Sequence, residues 1–474
     1  MRTHPCHLIL VVLILASLLV GPAFAADDTK QPNLVIFVAD DMAWNDCGAY
    51  GHKSIRTPNI DALAAEGMRF DAAFLTTSSC SPCRCSVLTG RWPHNTGAEQ
   101  LHWPLPKSRV MVSKLLRDAG YWTLAAGKWH LGNAVKGQFD KIVGLNKDAW
   151  VASLRDRPKD KPFFAWLAFS DPHRGYQKNT IPKPHTAADA VVPPFLPDVP
   201  ETRRDLAMYY DEIGRLDGVV GRVMAELRRQ GIADETFVLF FSDNGRPFPR
   251  CKTTLYDSGI KTPLIVRFPG RVKPGTTNAN LLSTVDIAPT LLELAGAPPS
   301  KTFQGKSFAG LLTGDADKKT RNYIYAEHNW HDYSACERAV RGERYKYIRN
   351  FYPQFAGTPP ADAVRSPTYI AMRRLRDAGE LPPEQMGCFI KPRPEEELYD
   401  LKKDPYELKN LVTDPAYAKV LGKLRSVLTA WREDTHDIVP KIRAVDEFHR
   451  ELGSRLKGIK FNRTQRAETL AEER

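Results

Sequence analysis

Three cysteines fall within six residues in the stretch SSCSPCRCSVLTGR (78–91): Cys80, Cys83 and Cys85. Such a cluster opens three chemistries: a metal knuckle, a redox pair, or one special cysteine beside two bystanders. Zinc fits poorly, because structural zinc takes four ligands, commonly as two spaced pairs, and no second pair follows. A redox pair is expected to open a helix in a small βαβ domain, and this one lies deep inside a long chain. Beyond Cys6, the cysteines number seven (47, 80, 83, 85, 251, 336 and 388). An odd count at so low a density argues against a disulfide scaffold.

A second reactive set is made of oxygen. NLVIFVADD (33–41) ends in Asp40 and Asp41, TFVLFFSDNG (236–245) in Asp243 and Asn244, and PFFAWLAFSDPH (162–173) in Asp171 and His173. Apolar runs without alternation read as strands buried on both faces, the signature of a parallel sheet. Open α/β sheets bind ligands outside the carboxyl ends of their strands. Asp40, Asp41, Asp243 and Asn244 are therefore expected to converge into a hard, all-oxygen site, suited to Ca²⁺ first, Mg²⁺ second, and Zn²⁺ poorly.

The elements that must position these residues alternate. PLIVRF (263–268) is a fourth apolar run. Helical patterns lie between the runs: 57–70 with Thr57 as cap and Pro58 at the first helical position, 108–120 closing on Gly120, and a long amphipathic stretch over 201–231. This alternation predicts an α/β class, a mostly parallel sheet covered by helices on both faces. After about residue 320 the pattern changes to short, aromatic, β-branched segments. NYIYAEH, RAVRGERYKYIRN (with Gly342 central, as in a hairpin) and EELYDL are followed by a helical stretch over 415–437. They predict a smaller C-terminal antiparallel sheet with one packed helix over 321–440, interrupted by a Pro-rich excursion at 352–387. Residues 441–474 read as a charged tail or an arm wrapped on the surface.

The chain opens MRTHPCHLILVVLILASLLVGPAFA, with a basic start, an apolar run over Leu8–Val20 and small residues at Ala23–Ala25. That is a leader with cleavage after Ala25. The run falls short of the roughly 20 residues that span a bilayer. The expected organisation is 1–25 leader, 26–320 catalytic α/β domain, 321–440 subdomain and 441–474 tail, in a secreted or periplasmic protein without a stable membrane anchor. The net charge of +12 suits a polyanionic partner. No basic run carries interleaved aromatics, so nucleic acid is not expected.

CSPCRCSVLTGR resembles the sulfatase signature, Cys-x-Pro-Ser-Arg followed by Leu-Thr-Gly-Arg. GKWHLG (127–132), DPHR (171–174) and SDNG (242–245) resemble further sulfatase motifs in the same order. PFFAWLAFSDPHR, FSDNGRPFPRCKTTLY, EELYDLKKDPYELKNL and WREDTHD are similar to the N-sulfoglucosamine sulfohydrolase (heparan N-sulfatase) branch. The resemblance covers about 33–440 and implies an alkaline-phosphatase-like fold. It also implies that a maturation enzyme oxidises Cys80 to formylglycine, whose hydrate attacks the sulfur through one oxygen and, on deprotonation of its second hydroxyl, expels sulfate and regenerates the aldehyde. A serine lacks that second hydroxyl; the route splits one hard step into two. The chain departs from the signature at Cys83, where serine is usual, and at Lys252, where the branch carries arginine.

By the same resemblance, Asp40, Asp41, Asp243 and Asn244 match the metal ligands beside the modified Cys80, and Arg84 steadies the hydrate. Lys128 and Lys252 match cations on the sulfate oxygens, His130 is the candidate base and His173 the candidate acid. Cys83 and Cys85 become buried thiols or partners in a disulfide, with Cys251 within reach of the argument. Glu327, His328, His331, Asp332 and Arg338 are candidates to line the sugar pocket, and Arg174 to bind a neighbouring carboxylate or sulfate. The expected substrate is a sulfated glycan, N-sulfoglucosamine first and an O-sulfated polysaccharide second. A phosphoester or phosphonate hydrolase of the alkaline phosphatase superfamily, or a non-catalytic binding protein on the same fold, are the rival classes.

Overall fold

A computed structural model of the chain describes residues 31–314 and 319–459. The expected leader, Cys6 and the last fifteen residues of the expected tail lie outside the described residues.

Fourteen strands form the sheets. They are β1 (Asn33–Ala39), β2 (Met68–Phe70), β3 (Ala73–Phe74), β4 (Trp122–Gly127), β5 (Lys141–Val143), β6 (Phe163–Ala168), β7 (Thr236–Ser242), β8 (Leu264–Arg267), β9 (Thr276–Asn278), β10 (Leu282–Ser283), β11 (Ile324–His328), β12 (Glu337–Arg341), β13 (Tyr345–Asn350) and β14 (Glu396–Asp400). The main sheet runs β5-β4-β6-β1-β7-β8-β2-β9. Its central strands β1, β6 and β7 are buried at every residue, because helices cover both faces and an unbroken apolar run satisfies both. β1 pairs in parallel with β6 and β7, and β4 with β6.

Three local expectations are revised. β8, the PLIVRF run, is antiparallel to both of its neighbours, β7 and β2; a short strand buried on both faces has the same composition whichever way it points. The helical pattern at 57–70 stops at Ala65, and Met68–Phe70 is strand β2. The break is at Gly67, where a Cβ would stand 2.1 Å from the carbonyl oxygen of Val266. Thr57 makes no side-chain cap on that helix. The Asp217 carboxylate, from the long Pro200–Arg229 helix, accepts from the backbone N–H groups of Asn59 and Ile60 at 3.0 and 2.8 Å, which supplies the acceptor that helix termini lack.

The second sheet is antiparallel, β11-β12-β13-β14, with the Ala418–Asp434 helix packed on it through Trp431, stacked on Tyr325 at 4.8 Å. β12 and β13 form the expected hairpin, yet Gly342 is not in the left-handed region. The 352–387 excursion contains two helices, Ala361–Val364 and Pro367–Asp377. Residues 444–447 lie against the 330–334 loop: Trp330 Nε1 donates to the Val445 carbonyl at 2.7 Å, and the Glu447 N–H to the Asp332 carbonyl at 2.8 Å.

Candidate active site

Strand register builds the site. Val38 lies opposite Phe241 and Ala39 opposite Ser242, so Asp40 and Asp243 leave the sheet side by side. Val38 also lies opposite Ala168, and Gly127 opposite Ala168, which brings Asp171–His173 and Lys128–His130 to the same edge. Cys80 arrives from a separate element, as the first residue of the Cys80–Thr89 helix. Ligand atoms of Asp40, Asp41, Cys80 and Asp243 lie within 4.8 Å of one another, all buried. Backbone strain collects here: Asp41, His102, His130, Thr253 and Asp332 all have positive φ, between 53° and 79°, a conformation non-glycine residues seldom adopt unless the surroundings enforce it.

Three cations face the three carboxylates. Arg84 Nε donates to Asp243 Oδ2 at 2.7 Å, Lys128 Nζ to Asp40 Oδ2 at 2.5 Å, and Lys252 Nζ to Asp41 Oδ2 at 2.7 Å. Burial acts to raise the pKa of Asp40, but Lys128, His173 and Arg84 outweigh it and hold the carboxyl well below the usual range. The same burial, with the charges of Asp40 and Asp41, pushes Asp243 upward against the pull of Arg84. Three carboxylates this close do not share one ordinary titration.

The donor set fits a hard divalent cation. Asp40 Oδ1 and Asn244 Oδ1 are buried without a hydrogen-bond partner, and such atoms call for a partner. The Asn244 amide nitrogen instead donates to Asp41 Oδ1 at 2.9 Å and Asp243 Oδ1 at 2.7 Å, and a half-turn of the amide presents its oxygen to the same space. Oxygen donors from three carboxylates and an amide suit Ca²⁺.

Burial pushes the Cys80 thiol up to about 12, against the pull of Lys128 and Lys252. Burial thus disfavours the thiolate that thiol exchange needs. Burial pushes Cys85 up to about 12 and Cys83 well above its ordinary value. Every described cysteine is a free, buried thiol, so no disulfide joins Cys83 or Cys85 to Cys251.

A cleft of about 560 Å³ opens above Cys80, with Lys128, His130, His173 and Lys252 in its wall. His173 Nδ1 sits 3.1 Å from the Arg174 carbonyl, which fixes a proton on Nδ1 and leaves Nε2 facing the cleft, 3.9 Å from Asp41 and 3.7 Å from Asp362. His130 Nε2 lies 2.6 Å from His102 Nδ1. Burial, Lys128 and His102 together push the His130 pKa well down, which keeps it neutral and leaves a free lone pair, at the cost of basicity.

The candidates at 327–338 divide. His331 and Asp332 line the cleft; His331 Nδ1 is 2.7 Å from Ser79 Oγ, and Asp332 Oδ2 accepts from the Ala361 N–H at 2.9 Å. Glu327 and Arg338 do not line it. Arg338 forks onto Asp437 at 2.8 and 2.7 Å, Glu327 pairs with His94 at 2.8 Å, and both are buried. Charges this deep need partners from the interior, and the two have found each other's network in place of sugar. His328 faces a separate small recess with Glu337 and Arg393. Arg174 is likewise committed: it forks onto Asp205 at 2.8 and 2.9 Å and stacks over Phe248.

The cleft also holds His102, Asp362, Arg365 and Phe448, none of which the sequence singles out. His102 stands outside the recognisable motifs, and Asp362 lies in the Pro-rich excursion. Only folding the excursion back over the sheet makes Asp362 a neighbour of His173.

The sulfatase family model matches residues 32–153 and 147–297, and a model described as the C-terminal part of N-sulphoglucosamine sulphohydrolase matches 250–361. An ulvan-active sulfatase of Formosa agariphila is 33% identical over 460 residues, covering 85% of this chain and 75% of the relative. Human N-sulphoglucosamine sulphohydrolase is 32% identical over 463 residues, covering 86% and 91%. A solved structure described as a complex with its substrate D-glucosamine-2-N,6-O-disulfate superposes with a TM-score of 0.67 at 21% identity, covering 87% of this chain and 99% of that one. The fold is alkaline-phosphatase-like, as in solved sulfatases.

Proposed function

This chain belongs to the sulfatase family and is a hydrolase of sulfuric esters; we propose that it removes sulfate from a sulfated glycan, with Cys80, matured to formylglycine, as the attacking residue. The observation that carries the reading is the placing of Cys80 at the floor of a cleft where three buried carboxylates meet three basic side chains. Sulfatases generally combine formylglycine with a divalent metal. The aldehyde supplies an oxygen nucleophile that the thiol itself cannot. A Ca²⁺ ion, with Mg²⁺ the lesser fit, would be held by Asp40, Asp41, Asp243 and Asn244 beside residue 80 and would supply positive charge to the oxygens of the sulfo group.

The chain's own groups then have separable tasks. Lys128 and Lys252 sit where developing charge on sulfate oxygens must be neutralised. Against three carboxylates the three cations leave no net charge, so a divalent ion leaves a surplus that matches the sulfate dianion released. His173, when protonated on both nitrogens, presents Nε2–H toward the cleft and gives that proton to the departing oxygen or nitrogen. His130, kept neutral, accepts one. The formylglycine-generating maturation enzyme is the partner this reading requires.

For substrate, we take a sulfamate on a terminal glucosamine first, supported by the C-terminal family match over 250–361. A sulfamate leaves as an amine and needs a proton donor, which His173 provides. An O-sulfated polysaccharide is the second reading, supported by the equally similar ulvan-active relative. Both are glycans outside the cytoplasm, consistent with the leader-like start, and no described helix is long and apolar enough to cross a membrane. Sulfate release measured in parallel on N-sulfated glucosamine, 6-O- and 2-O-sulfated sugars and an aryl sulfate, beside alcohol release from a phosphonate monoester, decides among them. The sulfamate should turn over fastest. Turnover of an O-sulfated sugar with none of the sulfamate removes the N-sulfatase reading, and preference for the phosphonate removes both.

Metal analysis is a second check. The purified protein should carry one calcium per chain, and Asp243→Ala should lose it. Stoichiometric zinc that survives Asp243→Ala would place the metal elsewhere and break the assignment.

A further inference from the structure

A second cleft, of about 410 Å³, opens on the other side of the loop that carries Asn244 and Lys252. It shares no lining residue with the catalytic cleft. The loop nevertheless serves both: Lys252 faces the catalytic cleft and Cys251 the second one. Trp44 follows Asp41 by three residues, and Arg246 follows Asn244 by two. The volume falls within the roughly 300–1,000 Å³ of ordinary small-molecule sites.

Its lining combines aromatic surface with positive charge. Trp44, Phe195 and Tyr406 contribute rings, and Tyr406 is 48% exposed although it packs 6.3 Å from Phe195. Arg246, Lys261 and Arg341 contribute the cations. Two of these have carboxylate partners: Arg246 Nη2 meets Asp46 at 2.7 Å, and Arg341 meets Asp257 at 3.2 and 3.1 Å. Arg246 Nη1 is buried without a partner. Among the described residues no carboxylate lies within ion-pair distance of Lys261; its ammonium sits 3.6 Å over the Trp44 ring. The two acids in the lining, Asp257 and Glu407, are already held by Lys346 at 2.5 and 2.7 Å. The cleft is therefore left with an uncompensated positive charge next to aromatic faces.

We propose that this cleft binds an anionic pyranose residue of a sulfated glycan, with Lys261 and Arg246 on its carboxylate or sulfate and Trp44 and Tyr406 along the ring. The chemistry is complementary in both parts. A pyranose offers C–H faces to aromatic rings and an anionic substituent at its edge. Large rigid aromatics supply contact area at low entropic cost, and a partly desolvated cation contributes more to an anion than an exposed one does. The site is distinct from the sulfur-cleaving cleft and would give the enzyme a hold on the polymer that a lone sulfated sugar lacks. It rests on the sulfatase reading for its ligand class.

The test is binding of a size-fractionated heparin tetrasaccharide to the full chain carrying Cys80→Ala, followed by calorimetry. Adding Lys261→Ala or Trp44→Ala should each weaken Kd by about tenfold, the scale for losing one well-placed charge or ring. Lys114→Ala, which removes an exposed helix charge paired to Asp118, should change it less than twofold. Unfolding curves confirm that each variant is folded. If the Lys261→Ala effect vanishes with carboxyl-reduced tetrasaccharide, the contacted group is the carboxylate; if it vanishes with the desulfated one, it is sulfate. An effect that survives both changes, no effect at all, or no binding by the Cys80→Ala chain overturns the proposal. Sulfate release by the unmutated enzyme is read separately, so loss of this site leaves the activity standing and the reverse is equally visible.

Discussion

Replacing Cys80 with alanine should abolish sulfate release while leaving the protein folded. The loss should be on the order of 10⁵-fold or more in kcat, as when a covalent nucleophile is removed from a set of residues that act as a unit. Little stability should go with it. Cys80 contributes one sulfur atom at the floor of an open cleft, and its contacts are an amide 3.2 Å away and a carboxylate 3.8 Å away. Deleting so small a group costs about 1 kcal/mol, about one degree in Tm for a chain of this size. Cys83 and Cys85 should behave in the opposite way. Both are fully buried in the apolar core, so serine there buries a hydroxyl at a cost of about 1–3 kcal/mol. Alanine is the cleaner probe, and Cys83→Ala or Cys85→Ala should keep activity within tenfold once maturation has occurred. Peptide mass at residue 80 separates the two effects, because it reports formylglycine independently of turnover. A Cys80→Ala enzyme with a tenth of normal activity would end the assignment of residue 80 as nucleophile.

The contrast among the three cysteines shows what sequence order can and cannot carry. Asp40, Asp41, Asp243 and Asn244 were legible because buried strands end where their apolar runs end, and the register of β1 against β7 follows from those ends. Lys128 and His173 were legible only through their motif neighbours. The direction of β8 was not legible, since burial on both faces selects the same residues in either orientation. Glu327 and Arg338 were misplaced for a related reason: charge on a strand predicts a surface or a site, and tertiary packing supplied a third option, buried pairs with His94 and Asp437 respectively. His102, Asp362 and Phe448 come from loops whose paths depend on long-range contacts, such as Ala361 N–H on Asp332. No local pattern encodes such contacts. Arg174 was spoken for by Asp205, which lies on the helix Pro200–Arg229 that also caps the helix after Thr57 through Asp217.

Lys128→Ala and Lys252→Ala should each lower kcat by about a hundred- to a thousand-fold, the range for losing one preorganised charge stabiliser. The two should not be equal. Lys252 is 1% exposed and pairs with Asp41, whereas Lys128 keeps 21% of its side chain exposed and pairs with Asp40. A charge in the drier position works through less water and contributes more, so Lys252→Ala should show the larger fall. It should also show the larger loss of stability, because it leaves a fully buried carboxylate short of a cation, although bound metal would offset part of that loss. Either removal also takes one positive charge from the surplus that faces the released dianion, so inhibition by free sulfate should weaken together with kcat. Lys252→Arg should recover more activity than Lys252→Ala, since charge is kept while the fork geometry changes. The measurements are kcat, KM and the sulfate inhibition constant on one substrate, with metal content checked in each variant. Rates within twofold of the parent, at unchanged metal content, would place both ammonium groups outside the sulfate pocket and leave the carboxylate cluster as a structural ion-pair knot with a metal and no catalytic role for its lysines.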